Sequence, residues 1–199
     1  IWFQAKGRRL SCWTVIWPAK RQTAHCGSEA CSILMKRVET DMTRTFQEHR
    51  IRRTQKLDGL WDVVLDPENV GLQNHWYMSF PVHSRKSYVP GCWNNDIGLY
   101  EYEGVAWYRT HFLLDKPQHI RLLFHSVSGQ ADVYLDGSRI CGHYGSFTPF
   151  EAVVPGVQAG YHELIVRIDN THDRQTIPST RVDWLHYGGI FRSVELQQI

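Results

Sequence analysis

The sequence has no run of 18 apolar residues, so it holds no helical membrane span. The mainly apolar stretch from Cys12 to Trp17 is stopped by Pro18 and is too short for a signal-peptide core. The five cysteines are odd in number and lack the spacing of a disulfide framework. Cys26 and Cys31, with His25 beside them, make half of a zinc site, and no second pair at ligand spacing completes it. No metal or other cofactor is therefore expected, and free thiols in a reducing, cytoplasmic compartment are the expected state of the cysteines. Length excludes more. A (β/α)8 barrel needs about 250 residues, so 199 residues cannot carry one in full, and no catalytic residue is assigned.

The overall charge of +2 conceals an uneven distribution. Residues 1–56 carry 12 Lys/Arg against 4 Asp/Glu, whereas residues 57–199 carry 10 against 16. A boundary is expected near Leu57, between a basic extension, 1–56, and a domain, 57–199. The extension has no sustained apolar stripe from Arg37 to Lys56 and no aromatics spaced for base stacking. It reads as poorly ordered, with Met35 or Met42 a sensible natural start, and no nucleic-acid partner is expected.

From Leu57 onward, short alternating runs are punctuated by Gly, Pro, Asn and Asp, which is the pattern of an all-β domain. Trp61, Val63 and Leu65 share one face of a first strand. Tyr108, Thr110, Phe112 and Leu114 share a face of a longer one, with Arg109 and His111 opposite. Ile120, Leu122 and Phe124 line the next. Val133 and Leu135 lead into Asp136-Gly137, a dipeptide that tolerates the positive φ angles of a type I′ hairpin. Leu164, Val166 and Ile168 repeat the period of two, and Val194 and Leu196 close the set. Two packed antiparallel sheets, a jelly-roll β-sandwich, are the expected fold. Trp61 and Trp107 read as core, while Trp93 and Trp184 fall in loops and are candidates for contact with something outside the domain. Glu101 and Glu103, bracketed by Gly98 and Gly104, read as solvated charge.

The segment Asp183-Trp184-Leu185-His186-Tyr187-Gly188-Gly189-Ile190-Phe191-Arg192 carries the chemistry. It sets a carboxylate and aromatic rings ahead of a Gly-Gly turn that feeds a final strand. Carboxylate oxygens accept hydrogen bonds from sugar hydroxyls, and an indole or phenol ring covers the apolar face of a pyranose. An Asp that merely forms a turn is the bland reading.

Leu57-Asp58-Gly59-Leu60-Trp61, then Val89-Pro90-Gly91 with Trp93-Asn94, then Gly104 followed by Trp107-Tyr108-Arg109 resembles the opening of β-glucuronidases and β-galactosidases of glycoside hydrolase family 2. The resemblance continues through Val133-Tyr134-Leu135-Asp136-Gly137, Thr148-Pro149-Phe150-Glu151, Val166-Arg167-Ile168-Asp169-Asn170, Ile177-Pro178 and Gly188-Gly189-Ile190-Phe191-Arg192, in the family's own order. It implies the N-terminal sugar-binding domain of such an enzyme, a jelly roll of the galactose-binding-domain kind. In the family this domain precedes an immunoglobulin-like sandwich and a catalytic barrel, whose two glutamates carry out a retaining double displacement. The expectation is a substrate-positioning fragment, inactive alone. Its expected partners are the missing domains of a full-length, homo-oligomeric enzyme and a terminal β-linked hexose or hexuronide. By the same resemblance Asp183 would bind substrate, flanked by Trp184, His186 and Tyr187, which are packing residues first. A stand-alone carbohydrate-binding module and a purely structural sandwich are the alternatives.

Overall fold

A computed structural model of the chain describes residues 53–174, 176–177, 179 and 183–199. The zinc half-site at Cys26 and Cys31, and Cys12, lie outside the described residues. Among the described residues, ten strands form two sheets. They are β1 (Arg53–Lys56), β2 (Gly59–Asp66), β3 (Arg85–Val89), β4 (Val105–Leu114), β5 (Gln118–Phe124), β6 (Gln130–Leu135), β7 (Ser138–Tyr144), β8 (Phe150–Val157), β9 (Gly160–Asp169) and β10 (Val194–Gln198). One sheet runs β1-β10-β5-β8 and the other β3-β2-β4-β9-β6-β7, and every neighbouring pair is antiparallel.

The alternation read from sequence sets the interior. Trp61 and Val63 of β2, Tyr108, Phe112 and Leu114 of β4, and Leu164, Val166 and Ile168 of β9 face Ile120, Leu122 and Phe124 of β5 and Val194 and Leu196 of β10. Each such large apolar side chain contributes roughly 1.5–3 kcal/mol when fully buried. The hairpin at Asp136-Gly137 forms as expected, with φ of 48° and 78°.

Three features differ from the sequence reading. The sandwich begins at Arg53, ahead of Leu57, because β1 pairs with β10 in the register Arg53↔Gln198 to Lys56↔Glu195. Its side chains are polar and mostly exposed, so no apolar alternation marks it. Secondly, the outer face of the larger sheet carries a second core of Phe80, Val105, Trp107, Tyr134 and Ile165, covered by Trp76 and Tyr77. Asp66 fixes that covering loop by accepting from the Val70 and Gly71 N–H groups, each at 2.8 Å, and from Trp107 Nε1 at 3.0 Å. Thirdly, Trp93 is fully buried rather than free for an outside contact. It sits in a 3-10 turn, Trp93–Asn95, that folds inward between Tyr102 and Tyr108.

Candidate functional site

The connection from β9 to β10 carries the segment singled out by sequence, and both its ends are fixed. At the start, Asn170 is buried directly after β9. Its Oδ1 accepts from the Gly104 N–H at 2.8 Å and its Nδ2 donates to the His186 carbonyl at 2.7 Å. At the end, Gly188 to Phe191 lies strapped between two other loops. Gly91 and Trp93 N–H groups donate to the Ile190 and Gly188 carbonyls on one side. Ser128 N–H donates to the Gly189 carbonyl, and Phe191 N–H to the Ser126 carbonyl, on the other. The Ser128 hydroxyl also donates to the Tyr187 carbonyl at 2.8 Å.

The Gly-Gly pair answers to this packing. A Cβ on Gly188 would overlap the Trp93 indole, and Gly189 holds φ +141° against the Gly91 carbonyl. Asn94 ties the same corner together. Its Oδ1 accepts from the Gly188 N–H at 2.8 Å, and its Nδ2 faces the carbonyls of Leu99, Tyr100 and Tyr102 at 3.0–3.1 Å.

Asp183 and Trp184 are exposed, Trp184 by 59%. Trp184, Leu185, His186 and Tyr187 line a cavity of about 490 Å3, which Asp183 adjoins in sequence without lining. The opposite wall comes from the end of β7 and its following loop, Tyr144, Ser146 and Phe147, and from Ser126 and Ser128 after β5. The Tyr144 hydroxyl accepts the Ile177 N–H at 3.0 Å, which ties Ile177 to the end of β7. His186 and Tyr187 are thus held through their backbone carbonyls, while the Trp184 ring remains open to solvent.

The His186 ring stacks on His172, with centroids 3.6 Å apart and planes 13° from parallel. Glu103 approaches the far ring, its Oε1 lying 2.6 Å from His172 Nδ1 and accepting the His172 N–H at 2.9 Å. Burial, and then the adjacent His172 imidazole, press the His186 pKa below its ordinary value against the opposing pull of Glu103. Glu103 is therefore a tether for the start of the segment, a role that the sequence reading of solvated charge missed. Only the spacing from Gly104, whose N–H meets Asn170, hinted at it. Among the described residues no group of three His, Cys, Asp or Glu is arranged to hold a metal ion.

The profile of a family described as glycosyl hydrolases family 2, sugar binding domain, matches residues 54–199. A beta-glucuronidase of Paenibacillus borealis is 25% identical over 172 residues, which are 73% of this chain and 29% of that protein. A beta-galactosidase of Thermoanaerobacter pseudethanolicus is 33% identical over 104 residues, 49% of this chain and 14% of that protein. Among solved structures, a beta-glucuronidase from an uncultured Clostridium sp. superposes with a TM-score of 0.70 at 27% identity, covering 76% of this chain and 30% of that one. A GH2 beta-galacturonidase from Eisenbergiella tayi superposes with a TM-score of 0.64 at 32% identity, covering 78% and 26%. The chain thus spans less than a third of the length of these relatives. With its sandwich, its ordered motifs and its matched span in agreement, the chain belongs to glycosyl hydrolase family 2, by way of that family's sugar-binding domain.

Proposed function

We propose that this chain positions the substrate of a retaining glycosidase that hydrolyses terminal β-linked O-glycosides, of the β-glucuronidase or β-galactosidase kind. The family match over residues 54–199 carries the reading, because relatives named beta-glucuronidase and beta-galactosidase contain this domain as a minor share of their length. The acid/base and nucleophile carboxyls would come from a barrel in the same enzyme, held about 5–5.5 Å apart as a retaining mechanism requires. Asp183 contributes orientation. Asp183 is exposed and precedes Trp184 in a segment whose two ends are pinned to the sandwich, and its carboxylate accepts hydrogen bonds from hydroxyls of the terminal sugar. A group held from such a frame fixes the sugar relative to the attacking carboxylate without itself breaking a bond.

The test is a chimera in which residues 53–199 replace the matching span of the Paenibacillus borealis beta-glucuronidase. Losing a hydrogen bond to a charged acceptor costs about 1.5–3 kcal/mol, so Asp183→Ala should lower kcat/KM by about 10- to 100-fold. Asp183 is exposed, and the melting temperature should hold. Unchanged turnover would sink the proposal and leave the sandwich as a bracing surface for the barrel.

A further inference from the structure

The β9–β10 connection carries a second closure beside the Asn170 amide, and this one depends on charge. The His172 ring stacks on His186 with centroids 3.6 Å apart and planes 13° from parallel. Beyond it, Glu103 Oε1 lies 2.6 Å from His172 Nδ1 and accepts the His172 N–H, so a proton on the His172 ring meets a carboxylate. His186 has no such counterpart. Its Nε2 is buried with no hydrogen-bond partner among the described residues. A proton arriving there sets a second imidazolium face to face with the first, and like charges within about 4–6 Å disfavour each other. Burial first, and then His172, oppose a proton on His186, and Glu103 offsets them only in part. The other titratable groups of the surrounding cavity wall are Cys92 ahead of the 3-10 turn, Tyr144 at the end of β7, Tyr187, and Arg192 in the strap. Thiols and phenols bring no negative charge in acid, and the guanidinium adds a positive one.

Glu103 holds His172 at both its backbone N–H and its ring, so His186 is the ring that can leave the stack. The His186 carbonyl meanwhile stays on Asn170 Nδ2, an amide that acid does not titrate, and both histidines lie outside the strands. We propose that the stacked His172–His186 pair is an acid-sensitive clasp in the cavity wall. Closed, it carries at most one proton; a second drives the His186 ring out of the stack and reshapes the wall beside Trp184 and Tyr187, with the sandwich intact. The sign follows from the neutral ring being the one that the fold favours: the clasp is closed above pH 6.5 and opens as pH falls through the lower folded value. It stands on these contacts and not on the role proposed for Asp183.

The experiment uses the whole chain, labelled with 15N, and lowers the pH from about 8 to about 5, the range in which histidine titrates. It follows the imidazole nitrogens of His172 and His186 and the indole N–H groups of Trp184 and Trp107. Expected is a Trp184 shift with the same midpoint as His186, below 6.5, while Trp107, fully buried in the second core, stays where it is. His172→Gln removes the opposing charge and should raise the His186 midpoint; Glu103→Gln removes the favourable one and should lower it. The Trp184 transition should move with the midpoint in each variant. Should His172→Gln lose the fold, Glu103→Gln, at a partly exposed carboxylate, decides alone. A His186 midpoint unmoved in a folded variant would show the two rings to titrate independently and would overturn the proposal. So would a Trp184 signal that ignores His186, or a Trp107 shift at the same midpoint, which would mean unfolding of the sandwich rather than a local opening. None of these readouts involves turnover, so the outcome of Asp183→Ala in the chimera neither supports nor removes the clasp.

Discussion

The Asn94 amide faces three carbonyl oxygens with its nitrogen while its oxygen takes the Gly188 N–H, and both roles need the neutral amide. Asn94→Ala strands a buried N–H and should lower stability by about 1–3 kcal/mol. Asn94→Asp should be worse despite its similar shape, because it sets a carboxylate against those carbonyls. Urea-unfolding midpoints of the two variants decide it; an aspartate variant as stable as the alanine one would refute this account of the corner. Trp93-Asn94 and Gly188-Gly189 were both legible in the sequence as separate motifs. What could not be read was that they are one structure, since about ninety residues separate them and only the fold brings Gly188 onto the indole. Trp93 was misread for the same reason: a tryptophan in a short loop looks free until the loop is seen to turn inward.

At the scale of elements, strands with one buried face announced themselves and the others did not. β5, with Ile120, Leu122 and Phe124 inward, alternates cleanly, whereas β9 buries both faces along its second half and blurs the period. β1 is the extreme case, an edge strand of four polar residues whose only evidence is its ladder with β10. That ladder covers the outer side of β10, whose Val194 and Leu196 are fully buried. A chain starting at Leu57 should therefore unfold at lower urea than one starting at Arg53, by about 1–3 kcal/mol for the lost hydrogen bonds. It should also self-associate through the bared β10 edge, which sedimentation velocity would detect. Equal stability and a monomeric truncated chain would show β1 to be dispensable.

At the scale of the molecule, acid should lower stability first through His186 and then through Asp62, and alkali should lower it again. His186 is held below its ordinary 6.5 in the fold, so the unfolded chain takes up that proton first. Stability is complete above pH 6.5 and declines as pH falls from there through the lower folded value. Burial would raise the Asp62 pKa, but hydrogen bonds from Lys86, Arg109 and Ser84 outweigh it and hold the carboxyl below 3.8. Its contribution is present above that value and is lost as pH drops further. Above pH 9 the curve should bend down again, because burial raises the Cys92 thiol and pushes the Cys141 thiol up to about 11 while the unfolded thiols ionise. Thermal melts across the range should show all three limbs, and His186→Gln should erase the first acid step alone; a variant that retains it would mean that another group titrates there. One side chain closes the β9–β10 connection at its base. Asn170 holds the Gly104 N–H beside the start and the His186 carbonyl near the end, and the strap that follows fixes Gly188 to Phe191. The connection is thereby latched at its base, so residues beyond the latch should be exchangeable with the strands left in place.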